Sequence, residues 1–251
     1  MIRFWTFFLL VLSTATTRSA EPPETVILLH GLGRTRWSLW RVEQTLRRDG
    51  YYVINLTYPS REQSVEKLAQ DFLAPLIAAQ DAAPRLHFVT HSLGGIILRC
   101  YLRDHAVANL GRVVMLAPPN AGSELTDRLQ STWLYRTVNG PAGQQLGTAG
   151  LPAALGPWPG SAGQLGIIAG DRSLNPLFSL WLPGPSDGKV TVARARLEGM
   201  TDFLTVHSSH TWLAWRREVS SQVEAFLRSG RFRPARRVDD EVPGAGAPGP
   251  A

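Results

Sequence analysis

Ser92 stands in the stretch THSLGG, where an apolar run, LHFV, gives way to a helical pattern, IILR. A serine hydroxyl is a poor nucleophile at neutral pH; it attacks only when a base removes its proton and a carboxylate orients that base. The chain offers two histidines for the base, His207 and His210 in VHSSHTWL, and two aspartates for the acid, Asp171 in AGDRS and Asp187 in SDGKV. Nucleophile, acid and base then follow one another along the chain. Attack on an ester carbonyl also creates an oxyanion, which needs two convergent backbone donors.

The strand before Ser92 is expected to end near Thr90 and the helix to begin after Gly94, which leaves Ser92 on a sharp turn. Such a turn strains its central residue and needs small neighbours, here Gly94 and Gly95. A serine before a helix is also an ordinary N-cap, so the surroundings must decide between the two roles. For the base, His210 is preferred, because it lies on the loop entering the last amphipathic helix, whereas His207 still belongs to the strand pattern. The histidine pair has no further Cys or carboxylate beside it, which argues against a metal site. Asp187 is favoured as the acid because it occupies a turn before an extended piece with Val190 and Val192; Asp171, directly after a strand, is the alternative. One oxyanion donor is expected at the Leu93 amide. The other is expected at the Leu32 amide, in LLHGLGRT after the first strand. That glycine turn lacks a third glycine and an acidic residue after the next strand, so it is a poor dinucleotide site. His30 and His91 border the site and are read as shaping it.

The elements that must position these residues alternate. Continuous apolar runs at TVILLHG, YYVINLTY, RLHFVTHS, RVVMLAPP, QLGIIAGD and DFLTVHSSH read as strands buried on both faces, with helical patterns between them. Val65, Leu68, Phe72 and Leu76 mark one helix that Pro75 must kink or restart. Trp212, Trp215, Val219, Val223 and Phe226 mark the last, closed by Gly230. The fold class is therefore α/β: a mostly parallel sheet of about six or more strands with helices on both faces. Residues 120–163, after the fourth strand, are too long for a simple crossover and are expected to form a cap or lid.

Composition bounds the rest. Residues 1–20 carry a short apolar run after Arg3, too short to span a bilayer, and read as a signal peptide of a secreted or periplasmic protein. The folded domain is expected over 21–235, and the Gly- and Pro-rich stretch 236–251 is expected to be disordered. Cys100, the only cysteine, leaves no intrachain disulfide and reads as core packing. The net charge of +6 invites a nucleic-acid reading, but residues 21–227 hold 19 basic against 17 acidic side chains, so the excess lies in the ends. The basic tail RSGRFRPARR is a candidate for peripheral contact with anionic lipid.

Together HGLGRT, THSLGGIILR, APPNAGSE, SDGKVTV and SSHTWL resemble the α/β-hydrolase superfamily, in particular bacterial lipase- and esterase-like members related to triacylglycerol lipases. The resemblance covers residues 25–229. It implies a serine hydrolase acting on carboxylic esters, without a cofactor or metal, with Ser92, Asp187 and His210 as triad and Leu32 and Leu93 as oxyanion donors. Thr90 departs from the family's elbow, which carries glycine there. An ester or lipid substrate is implied, its acyl chain expected against Trp133, Leu134, Tyr135 and Trp158. Acyl transfer by the same triad, or a non-catalytic domain binding lipid or protein, are the other readings.

Overall fold

The computed structural model describes residues 22–160 and 163–234. The segment read as a signal peptide, 1–20, and the tail 236–251 lie outside the described residues. Six strands form one sheet: β1 (Thr25–Leu29), β2 (Tyr52–Asn55), β3 (Leu86–His91), β4 (Leu110–Leu116), β5 (Leu165–Gly170) and β6 (Asp202–Val206). Their order is β2-β1-β3-β4-β5-β6, and every pairing is parallel.

Parallel strands need crossover connections, which cover both faces and demand apolar side chains on each. In β1, Val26 and Leu28 enter one core while Ile27 and Leu29 enter the other. The first core is closed by α1 (Trp40–Arg48) and α10 (Arg217–Ser229), through Val42, Leu46, Val219, Val223 and Phe226. The second is closed by α4 (Leu93–Asp104) and by residues 65–78. That stretch is not one regular helix: α2 (Val65–Lys67) widens into a π-helical segment over Leu68–Leu73 and resumes as α3 (Ala74–Ala78), with Pro75 in its first turn. Proline lacks the amide that would continue the ladder, so the helix restarts where the sequence demands.

The last helix is shorter than its apolar stripe suggests. Arg216 is extended (φ −74°, ψ 135°), so Trp212 and Trp215 precede α10 and stay 57% and 37% exposed. Gly230 ends the helix in the left-handed conformation, at φ 76°.

Between β4 and β5 the chain forms α5 (Glu124–Leu129), α6 (Trp133–Gln144) and α7 (Leu151–Ala154). Ser123 and Thr132 cap the first two with their hydroxyls. α6 is broken at Gly140 (φ 62°), where a Cβ would collide with the Arg61 backbone. The buried Arg99 of α4 ties this stretch down, donating to the Asn120, Pro152 and Gly156 carbonyls at 2.8, 3.2 and 2.6 Å. Between β5 and β6 lie α8 (Pro176–Trp181) and α9 (Val192–Ala195).

The strand order also locates a crevice. β1 and β3 are neighbours, but the chain leaves β1 toward β2 on one side and β3 toward β4 on the other. Loops part at such a switch point, beyond the carboxyl ends of the strands, and ligands bind there.

Candidate active site

Ser92 is placed at that switch point. β3 runs through His91 and α4 begins at Leu93, so the turn is one residue long, tighter than the expected boundaries at Thr90 and Gly94. The reason is the backbone of Ser92 itself: φ 51° and ψ −117° reverse the chain in one step, and both glycines fall inside the first helical turn. A positive φ in a residue with a side chain costs energy and marks strain held by its surroundings. The Ser92 amide donates to the Leu116 carbonyl at 2.8 Å. Although Ser92 occupies the N-cap position, its side chain makes no capping hydrogen bond, which sets aside the ordinary capping role.

The glycines have separate tasks. A Cβ on Gly94 would lie 2.5 Å from the Leu29 carbonyl oxygen, so α4 can approach β1 only with glycine there. At Gly95 a Cβ would meet the Thr90 hydroxyl at 3.2 Å. Thr90, which stands where the elbow pattern has glycine, fits as a buried side chain whose hydroxyl has no partner among the described residues.

The Ser92 hydroxyl lies 3.0 Å from His210 Nε2, and His210 Nδ1 lies 2.7 Å from an Asp187 carboxylate oxygen. A carboxylate accepts and does not donate, so Nδ1 carries the proton and Nε2 is left to accept from the serine. The second Asp187 oxygen accepts from the amides of Lys189 and Val190, at 2.9 and 2.8 Å. The His210 amide in turn donates to the Asp187 carbonyl at 3.0 Å, which joins the two loops. All three side chains are buried. Asp171 goes elsewhere: it pairs with the exposed His207 at 2.9 Å, on the rim.

Leu93 is the first residue of α4, where helical amides have no intrahelical acceptor. Among the described residues neither its N–H nor that of Leu32 has a hydrogen-bond partner. Gly31 brings the β1 loop against the elbow, since a Cβ there would sit 3.0 Å from His91 Nδ1 and 3.3 Å from Ser92 Cβ.

His30 and His91 are neutral scaffolding. The His30 ring donates through Nδ1 to the Gly31 carbonyl at 2.9 Å, accepts the Tyr58 amide at Nε2 at 3.2 Å, and stacks on the Tyr58 ring. His91 donates from Nε2 to the His210 carbonyl at 3.1 Å, pinning the loop that carries the candidate base. Burial above all holds both rings below the usual histidine range. Sequence reasoning missed Tyr58, whose hydroxyl donates to the His30 carbonyl. Its place at the end of the run YYVINLTY, just before Pro59, was the available signal.

Ser92 and His210 open into a cavity of about 220 Å³ with an apolar wall of Leu125, Leu129, Tyr135, Leu146, Phe178 and Val190. Of the four residues expected to line it, only Tyr135 does. Trp133 and Leu134 are 76% and 57% exposed on the outer side of α6, and Trp158 is buried in the core with its indole donating to Gly163. Leu134 and Trp133 lie one and two residues before Tyr135, which turns them about 100° and 200° from it around the helix. Among the described residues no group of three or more His, Cys, Asp or Glu side chains is arranged to hold a metal ion.

Comparisons with known proteins agree with this architecture. No curated protein matches the chain. Solved structures do: a mature Bacillus licheniformis lipase, at TM-score 0.66 and 20% identity, covers 84% of this chain and 92% of its own. A Legionella pneumophila phospholipase, PlaB, superimposes at TM-score 0.58 and 21% identity over 69% of this chain and 45% of its own. An esterase from Thermogutta terrifontis does so at 0.56 and 14%, over 83% and 90%. At these identities the likeness is one of fold. A family model described as the alpha/beta hydrolase family matches residues 26–246, nearly the whole described chain, and this chain belongs to that family.

Proposed function

We propose that the chain is a serine hydrolase of carboxylic esters that works through an acyl-enzyme on Ser92. The observation that carries this reading is the continuous hydrogen-bonded path from the Ser92 hydroxyl through His210 to Asp187, at 3.0 and 2.7 Å. The family's many reactions do not decide it; the site does. As Ser92 attacks, its proton passes to His210 Nε2, and Asp187 stabilises the imidazolium and holds the ring's tautomer. Negative charge growing on the carbonyl oxygen meets the free amides of Leu32 and Leu93. Collapse of the tetrahedral intermediate releases the alcohol, protonated by His210, and leaves Ser92 acylated. Water, activated by the same imidazole, then frees the acid. No cofactor enters these steps.

The helices α5 and α6 serve as a cap, since their inner residues Leu125, Leu129 and Tyr135 wall the cavity on which an acyl chain would lie. The cap is placed to exclude water, which is what acyl transfer to another alcohol would require, so transfer is the second reading.

A fluorophosphonate probe should label the wild type and not Ser92→Ala. Hydrolysis of p-nitrophenyl esters should fall by about 10³-fold or more in that variant. Equal labelling of the two proteins would end the proposal, and labelled product esters in the presence of added alcohol would favour transfer.

A further inference from the structure

The cavity beside Ser92 has a charge that ester hydrolysis alone does not explain. Two cations line it, Arg34 and Lys189, and no carboxylate does. Neither forms an ion pair among the described residues. Asp187, the acid nearest Lys189 in sequence, is already engaged by two amides and His210.

Both residues are exposed, Lys189 anchored through its backbone and Arg34 at one point of its side chain. The backbone of Lys189 is pinned on two sides: its amide donates to Asp187, and its carbonyl accepts the Ser123 hydroxyl at 2.7 Å. Arg34 donates one N–H to the Thr211 hydroxyl at 3.0 Å, beside His210, and keeps the rest of its fork for another acceptor. Chain composition sharpens the point, since Lys189 is one of only two lysines. Its ammonium is pushed below the usual lysine range, first by desolvation against neighbouring protein, although the residue as a whole stays exposed, and then by Arg34. An anion placed near both cations relieves their mutual repulsion. The same cavity is also lined by Leu125, Leu129, Phe178 and Val190, which accept hydrocarbon.

We propose that this cavity selects amphiphilic esters that carry a phosphate or carboxylate close to the scissile bond, the anion held by Lys189 and Arg34 and the acyl chain by the apolar wall. Turnover of such an ester rests on the reading of Ser92 as nucleophile; binding of it does not.

The test uses one matched pair, a monododecanoylglycerol and its 3-phosphate, below the concentration at which either aggregates. Titration calorimetry on the full-length Ser92→Ala protein reads binding without turnover, and should give a several-fold tighter Kd for the phosphate. Adding Lys189→Ala should bring that preference close to parity, and Lys189→Arg should restore most of it. In active enzyme the same preference should appear in KM and shrink as salt rises. A 3-(dodecanoyloxy)propanoate, with the same acyl chain and a carboxylate, run alongside separates a general anion site from a phosphate-specific one. Equal affinity for neutral and anionic esters in Ser92→Ala, or a preference indifferent to both Lys189→Ala and Arg34→Gln, overturns the inference. Anion-selective binding with no hydrolysis by wild type would instead overturn the proposed function and leave this site standing.

Discussion

Asp187 and Asp171 have the same functional group and follow the same strand, yet only Asp187 reaches His210. Its two oxygens do different work: one orients the imidazole, the other takes two amides that hold the carboxylate still. An asparagine there still offers an acceptor, but its amide competes as a donor and favours the wrong imidazole tautomer. Asp187→Asn should therefore lower kcat for ester hydrolysis by about 10³–10⁴-fold with little change in Tm. Asp171→Asn, which disturbs only the exposed pair with His207, should stay within about twofold. Steady-state kinetics of the two variants on one soluble ester checks both; similar losses would mean that the acid has been misassigned. The sequence narrowed the acid to these two positions by chain order and favoured Asp187 for its turn before an extended piece, but the contact with His210 is a tertiary relation.

At the scale of elements, the site depends on how closely α4 lies against β1. Gly94 permits a contact that no other residue allows, because a Cβ would sit 2.5 Å from the Leu29 carbonyl. Backbone does not yield as a flexible side chain does, so Gly94→Ala must push α4 away from the sheet. The variant should lose about 1–3 kcal/mol of stability in urea unfolding. It should also lose more activity than that destabilisation accounts for at temperatures where it is fully folded, since Ser92 rides at the start of the displaced helix. Normal stability and kinetics in Gly94→Ala would show that the elbow tolerates a looser seat. The pattern of small residues was legible in THSLGG, but which glycine meets backbone and which meets side chain depends on a strand 65 residues earlier.

Across the whole molecule, three histidines are buried as neutral rings: His30 and His91 near the candidate site and His87 at the other end of β3. Each has a fixed donor. His87, for example, donates to Glu24 at 3.0 Å and accepts the Arg112 amide at 2.8 Å. Burial is the largest influence on all three and lowers their pKa values in the folded state below the ordinary 6.5. The unfolded chain therefore takes up protons first as pH falls. Stability from these rings is fully present above about pH 6.5 and is lost as pH drops below it, by up to about 1.4 kcal/mol per pH unit for each ring. The urea midpoint should fall from pH 7 to pH 5, before most carboxylates titrate, and the fall should be shallower in His87→Gln. A flat profile across that interval would mean that the rings accept protons without cost to the fold. Cys100 fits the same core: it is buried, and burial raises its thiol pKa, consistent with packing.

By itself the sequence determined the alternation of strands and helices, the two apolar faces of the sheet, and the junction at Ser92. These are local properties: a continuous β-branched run favours burial on both faces, which holds for β1, β3 and β5 but not for the edge strands β2 and β6, and a serine between strand and helix beside two glycines favours a tight turn. What tertiary structure decided was every relation between segments distant in the chain. It brought His210 and Asp187 to Ser92, sent Asp171 to His207, and put Tyr135 rather than Trp133 or Trp158 on the cavity wall. It also set Lys189 and Arg34 on the same cavity, a juxtaposition with no local signature. The physical reason is that strand order and helix packing place residues in space, whereas periodicity only says which side of an element is apolar.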